Sequence, residues 1–179
     1  MLFRSLVQTS NLLLFILEKD FVAFIQKHQG IIHKVCRMYC DSEEDRQDLF
    51  QEVLFQLWKS YPKFRGDSKI STWMYRIALN TAIARLRKTK RKPSEFSISD
   101  STLQFPDTPP DTEKEEQLKN LQLAIQKLSK VEKGIIMLYL EEKSYDEIAE
   151  IIGITKTNVG VKINRIKKKL KETLEKLPQ

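Results

Sequence analysis

Residues 144–170, SYDEIAEIIGITKTNVGVKINRIKKKL, leave little choice of fold, because two helical periodicities meet there at a single glycine. Ser144 and Glu147 form a capping-box pattern, and Tyr145, Ile148, Ala149 and Ile152 then share one helical face. Gly153 ends that helix. Thr155 is placed to cap a second, in which Val159, Ile163, Ile166, Leu170 and Leu174 keep helical spacing. The opposite side carries Lys156, Asn158, Lys162, Asn164, Arg165 and Lys169. A helix that buries one face and offers Lys, Arg and Asn on the other is built as a helix-turn-helix module lays its recognition helix in the major groove. A helical hairpin with a solvated charged face satisfies the same pattern, so the stretch alone leaves both readings open.

The rest of the composition favours the first reading. A net charge of +7 and a pI near 9.3 point to an anionic partner, for which nucleic acid and an acidic membrane surface both qualify. Only five glycines and six prolines occur, the prolines mostly in one stretch, so the spacing predicts long helices and an all-α protein. At 179 residues, one medium domain or two small ones fit. Two cysteines, Cys36 and Cys40, cannot build a disulfide framework, and a reducing cytoplasm is the expected setting. His33, Cys36 and Cys40 fall near one another on a helix, but no fourth metal ligand accompanies them; burial in the core is the reading, with no metal. The apolar run 12–17 is too short to cross a bilayer and has no small-residue cleavage site after it. Residues 1–19 are therefore set apart as an extension: part of the core, frayed, or an upstream stretch included by the choice of start.

From Asp20 onward, Phe21, Phe24, Ile25, His28, Ile31, Ile32 and Val35 give a first helix ending near Tyr39. Asp41 or Ser42 caps a second, running to about Ser60, whose acidic start suits the positive end of its dipole. Its apolar rows are Leu49, Val53, Leu57 and Phe50, Leu54, Trp58; its polar face holds Asp45, Asp48, Gln51, Glu52 and Gln56, and by itself reads as solvent surface. Tyr61-Pro62 breaks the helix, and Phe64 to Lys69 forms a loop with one aromatic among bases. Ser71 or Thr72 opens a third helix, in which Trp73, Tyr75, Arg76 and Asn80 interleave with Met74, Ile77, Ala78 and Thr81, before a basic end at Arg85, Arg87, Lys88, Lys90, Arg91 and Lys92. Rings, guanidinium and amide groups together suit single-stranded nucleic acid, since bases stack on rings while cations follow phosphates.

Residues 93–112 change character: Pro106, Pro109 and Pro110, with Asp100, Asp107 and Asp111 among Ser and Thr, make an acidic linker. A second domain, 113–179, follows. Leu118, Leu121, Ile125 and Leu128 lie on one face of its first helix. Ser129 and Glu132 box the next, with Val131, Ile135, Leu138 and Tyr139 inward. No Gly-rich phosphate loop, acid-base pair or ligand set stands out, so neither an enzyme, a small-molecule substrate nor a cofactor is expected.

Three segments in this order, DRQDLFQEVLFQLW, FRGDSKISTWMYRIALNTAIARLRK and LEEKSYDEIAEIIGITKTNV, with the acidic linker between the second and third, carry a specific likeness. The chain resembles the two-domain bacterial RNA polymerase sigma factors of the extracytoplasmic-function group. That resemblance implies that residues 20–92 bind core polymerase and open the minus-ten element, and that 113–179 read the minus-thirty-five element. It assigns core binding to Asp45, Asp48, Leu49, Gln51, Glu52, Phe55 and Gln56, which overturns the solvent reading of that face. It assigns the minus-ten strand to Phe64, Arg65, Lys69, Ser71, Thr72, Trp73, Tyr75, Arg76, Asn80, Arg87 and Lys88, with one base extruded. Thr155, Lys156, Thr157, Asn158, Lys162, Asn164 and Arg165 fall to the minus-thirty-five duplex. An anti-sigma protein is the further implied partner, with no direct insertion into a membrane. Gly160, Val161 and Lys162 stand where relatives often show a basic residue, a Ser and an Arg, so phosphate contacts shift to Lys156, Lys162 and Arg165, and Gly160 leaves room for close approach to the groove. A stand-alone dimeric helix-turn-helix regulator is the competing reading; it needs paired half-sites, whereas a sigma factor reads two unlike elements as a monomer.

Overall fold

A computed structural model describes residues 2–89 and 112–176, with side chains described from residue 19 and from residue 116 in the two parts. Seven α-helices occur among them: α1 (Leu2–Tyr39), α2 (Glu43–Ser60), α3 (Ile70–Thr89), α4 (Thr112–Gln126), α5 (Lys130–Leu140), α6 (Tyr145–Ile152) and α7 (Lys156–Leu174). No strand is present among the described residues, in keeping with the all-α expectation. The linker assigned to 93–112 falls, but for Thr112, outside the described residues, as do Lys90, Arg91 and Lys92.

The helix ends follow the predicted chemistry. The Ser42 side chain accepts from the Asp45 backbone N–H at 3.1 Å, so Ser42, not Asp41, caps α2. Both capping boxes close: Ser129 with Glu132 at α5, and Ser144 with Glu147 at α6. Gly153 takes φ 78° to end α6, a left-handed conformation that costs any other residue a Cβ clash, and Thr155 then caps α7. The first helix departs from expectation. It runs back through Asp20 to Leu2, because nothing between Leu2 and Asp20 is a Gly or Pro that would interrupt it.

The first three helices pack against one another around Ile32, Val35, Leu49, Val53, Leu57, Met74, Ala78, Leu79 and Ala82. Cys36 and Cys40 lie in this core as free thiols, and burial, the largest cause, pushes them up to about 12 and about 11. Arg46 closes the α1–α2 turn by donating to the carbonyls of Cys40 and Asp41. One end of the core is aromatic: Phe21 meets Trp58 and Tyr61 edge-on at 5.0 and 5.3 Å, and Phe24 meets Trp73 at 6.0 Å.

The last four helices form a second unit in which α7 packs on α4, α5 and α6 through Val159, Ile163, Ile166 and Leu170. In α4 Ala124 is buried and Leu118 exposed, while Leu128, just past the end of the helix, is buried. Helix α5 was expected to bury one face, yet Gly134, Ile135, Ile136, Met137 and Leu138 are all buried in succession. A helix covered on every side has two neighbours to satisfy. Here α6 and α7 cover one side, and α1 and α3 of the first unit cover the other.

Candidate nucleic-acid and protein interface

Three surfaces gather the predicted residues. On α2, Asp45, Asp48, Gln51 and Phe55 are exposed and Glu52 and Gln56 half-buried, while Leu49 points into the core at 1% exposure and only supports the face. Phe55, 62% exposed, is an apolar side chain on an otherwise polar surface. Arg85 reaches across from α3 to the acidic row: its guanidinium donates to Asp45 at 2.9 Å and to Asp48 at 3.3 Å, and lies 3.8 Å from Glu52. Sequence reading counted Arg85 only in the basic tail. Its i−3 and i−7 relation to the buried Ala82 and Ala78 was the available sign that it would turn toward α2. A crevice of about 320 Å³ opens beside it between α2 and α3, lined by Glu52, Gln56, Ile77, Asn80, Thr81 and Lys88 among others. It joins Asn80 to residues of the α2 face, a juxtaposition that periodicity along one helix does not disclose.

The second surface is the loop before α3. Gly66 turns it with φ 79°, and the Phe64 ring lies 4.8 Å from Trp73, so two aromatic groups from separate segments meet beside the exposed Arg65 and Lys69. Ser71 is half-buried, and Arg76, Asn80, Arg87 and Lys88 are exposed along α3. Two predicted contacts are differently placed. Thr72 is buried at 2% because it lies on the core side of the first turn of α3. Tyr75 is also buried at 2%, with its hydroxyl 3.4 Å from Glu141 and Lys143 5.8 Å from its ring centre. Both partners belong to the α5–α6 turn of the second unit, and burial pushes the Tyr75 phenol well above its ordinary range.

The third surface is the outer side of α7. Lys156, Thr157, Asn158, Asn164 and Arg165 are exposed and Lys162 half-buried; Thr155 is exposed, with its hydroxyl engaged in the cap to Asn158. Lys156 is paired with Asp146 of α6 at 2.7 Å. The room at Gly160 opens toward the neighbouring helix, since a Cβ there would lie 3.5 Å from the Tyr145 ring. That is an ordinary van der Waals distance, so the Tyr145 ring of α6 lies against this part of α7.

No helix among the described residues is long and apolar enough to cross a membrane. Residues 24–92 match the Sigma-70 region 2 family, and residues 118–170 match the Sigma-70, region 4 family. The chain is 30% identical to the RNA polymerase sigma factor YlaC of Bacillus subtilis over 74% of this chain and 79% of that one. It is 27% identical to the ECF RNA polymerase sigma factor SigW of the same species, over 88% and 90%. Against the ECF sigma factor SigG of Mycobacterium tuberculosis it is 36% identical over 74 residues, which are 41% of this chain and only 20% of that protein. Among solved structures, the sigma factor RpoE of Bartonella quintana, in complex with the anti-sigma factor NepR, aligns with a TM-score of 0.70 at 20% identity, over 89% of this chain and 99% of that one. CnrH, in complex with the cytosolic domain of CnrY, aligns at 0.63 and 19%, over 88% and 89%. Both likenesses concern the fold.

Proposed function

We propose that this chain, which belongs to the extracytoplasmic-function group of bacterial RNA polymerase sigma factors, binds core RNA polymerase in the cytoplasm and directs it to promoters with unlike minus-thirty-five and minus-ten elements. It acts by binding energy and not by covalent catalysis. The observation that carries the reading is the presence, in one chain, of an exposed apolar-acidic face on α2, an aromatic-basic loop before α3, and a cationic helix α7 on a separate unit.

Each surface suits a different partner. Phe55 within the polar rim of Asp48, Gln51 and Glu52 has the make-up of a protein-docking anchor: one buriable ring, surrounded by groups that fix orientation. Phe64 and Trp73 offer ring faces on which an unstacked base gains about 1–3 kcal/mol. That gain offsets the few kcal/mol needed to take a base out of the duplex. The crevice beside Asn80 offers room for that base, with carboxylate and amide groups at its wall to meet a base edge. Along α7, Asn158 and Arg165 are suited to base edges, and Lys156 and Lys162 to phosphates, which position the helix without reading sequence. The solved RpoE structure carries the anti-sigma factor NepR, and this supports the same class of partner here.

Gel filtration of the purified chain with core polymerase tests the reading. Co-elution is expected, and Glu52→Lys and Phe55→Glu should abolish it while leaving the helical circular dichroism unchanged. A wild-type chain that does not co-elute would sink the proposal.

A further inference from the structure

The aromatic end of the first core has two tiers. Phe21 is the inner one: it is buried, and it closes the core against Trp58 and Tyr61. Outside it, Phe64, Trp73, Phe24 and His28 form a row whose successive ring centres are 4.8, 6.0 and 5.2 Å apart, and Tyr61 joins the row 5.3 Å from Phe24. All five outer rings are half-buried, so each keeps part of its surface in water. They come from three parts of the chain: Phe24 and His28 from α1, Tyr61 from the short turn Tyr61–Lys63, and Phe64 and Trp73 from the loop and α3. Closing the core needs only the inner tier. A contiguous row of rings left at the surface marks a place where a partner binds.

Charge narrows the choice of partner. Lys27 shares a face of α1 with Phe24, His28 and Ile31, at helical spacings of three and four residues, and Lys63 and Arg65 flank the turn and the loop. All three cations are exposed. Rings with a cationic margin suit bases joined by phosphates, because every base has a face to stack and every step of the backbone carries a negative charge. The ring steps exceed the about 3.4 Å rise of stacked bases in a duplex strand, so bases seated along the row are parted from one another. Asp20 lies one turn before Phe24 and is exposed, which disfavours a phosphate on that side; the strand therefore leaves Phe24 towards His28 and Lys27.

Resting on the strand-opening role proposed above for Phe64 and Trp73, we propose that α1 carries a second single-strand site. Phe24 and His28, with Lys27 beside them, take the nucleotides next to the base held at Phe64 and Trp73. The site accepts single-stranded DNA of any sequence, since stacking does not read base edges, and it rejects duplex, whose base faces are already covered. Each base held there opposes re-pairing of the opened strand, so a helix that otherwise serves only as core becomes part of the nucleic-acid surface.

Two measurements on the full chain, alone and with core polymerase, test the site. In the first, single strands carrying 5-iodouracil are photocrosslinked to the wild-type protein, and the attachment points are mapped by mass spectrometry. Crosslinks at Phe24 or His28 are expected, beside those at Phe64 and Trp73, and unlabelled duplex should not compete them away. In the second, fluorescence anisotropy compares thymidine strands of about three and about eight nucleotides. Phe24→Leu combined with His28→Leu removes both rings and keeps apolar bulk; it should weaken the long strand at least about fivefold and the short strand less than about twofold. The crosslink is read on the wild type, so it stands whatever the variants do to the fold. Wild-type crosslinks absent from α1, a double variant that binds the long strand as the wild type does, equal losses on both strands, or competition by duplex would each overturn the site. Crosslinks confined to Phe64 and Trp73 would remove the α1 site and keep the strand-opening reading. A wild type that binds no single strand would remove both, and co-elution with core polymerase would still report on the α2 face.

Discussion

Replacing Glu147 by glutamine and by alanine separates two interactions made by one side chain. Its carboxylate accepts from the Ser144 backbone N–H at 2.9 Å, completing the capping box of α6, and from Lys69 of the first unit at 3.0 Å. Glutamine keeps the cap geometry but not the charge, so Glu147→Gln should cost only the exposed ion pair, about 0.5 kcal/mol. Alanine also loses half the capping box, adding about 1 kcal/mol for a total near 1.5 kcal/mol. For a cooperative unit of this size that corresponds to roughly 1–2 °C and 3–6 °C in Tm at pH 7. The pH dependence has a fixed sign. The Ser144 N–H, then Lys69, holds the Glu147 carboxyl at about 2, below its ordinary 4.5, so the stabilisation is complete above about pH 4.5 and is lost as pH falls toward 2. Thermal melts of the three proteins from pH 7 to pH 3 provide the assay, with Lys69→Ala closing a double-mutant cycle. The reasoning fails if the glutamine variant melts as low as the alanine variant at pH 7, or if the wild-type advantage is the same at pH 3.

The left-handed positions should respond with opposite signs. Gly153→Ala meets no atom within 4 Å but strains the backbone, costing about 1–2 kcal/mol, whereas Glu142→Gly, at φ 55°, should gain up to about 1 kcal/mol; urea unfolding midpoints would show it. Ile163→Ala, at a fully buried position of α7, should cost about 2–5 kcal/mol by the same measurement. Cys36 and Cys40 should resist iodoacetamide at pH 8.5 in the folded protein and react at once in denaturant; native-state labelling faster than unfolding would contradict their burial. In binding titrations against salt, Lys162→Ala should weaken all duplexes alike and lower the salt slope, while Asn158→Ala and Arg165→Ala should change base preference.

Much of this fold was legible because helix ends are local chemistry. Ser42, Ser129, Ser144, Gly153 and Thr155 each act within four residues of themselves, so their roles could be read without knowing the rest of the molecule. The α7 stripe was legible for the same reason: periodicity names one inward face. It does not say what covers the other side. The burial of Gly134 against Tyr39 and Leu79, and of Tyr75 beside a turn 66 residues away in sequence, comes from the other unit and leaves no mark in the periodicity of either helix. Leu49 and Thr72 show the complementary limit. A segment that resembles a binding motif contains the residues that hold its helix in place as well as those that touch the partner, and only the packed structure separates them.

The aromatic end of the first core makes the protein's emission one-sided. Its two tryptophans, Trp58 and Trp73, both lie there, 5.0 Å from Phe21 and 4.8 Å from Phe64 respectively, and the unit built from α4 to α7 has none. Tryptophan fluorescence therefore watches the first unit alone: a ligand that displaces the Phe64 loop should change the signal, while melting of the second unit leaves it unchanged. Any spectroscopic account of how the two halves unfold or engage DNA in sequence thus has to pair that emission with a probe placed on the second half.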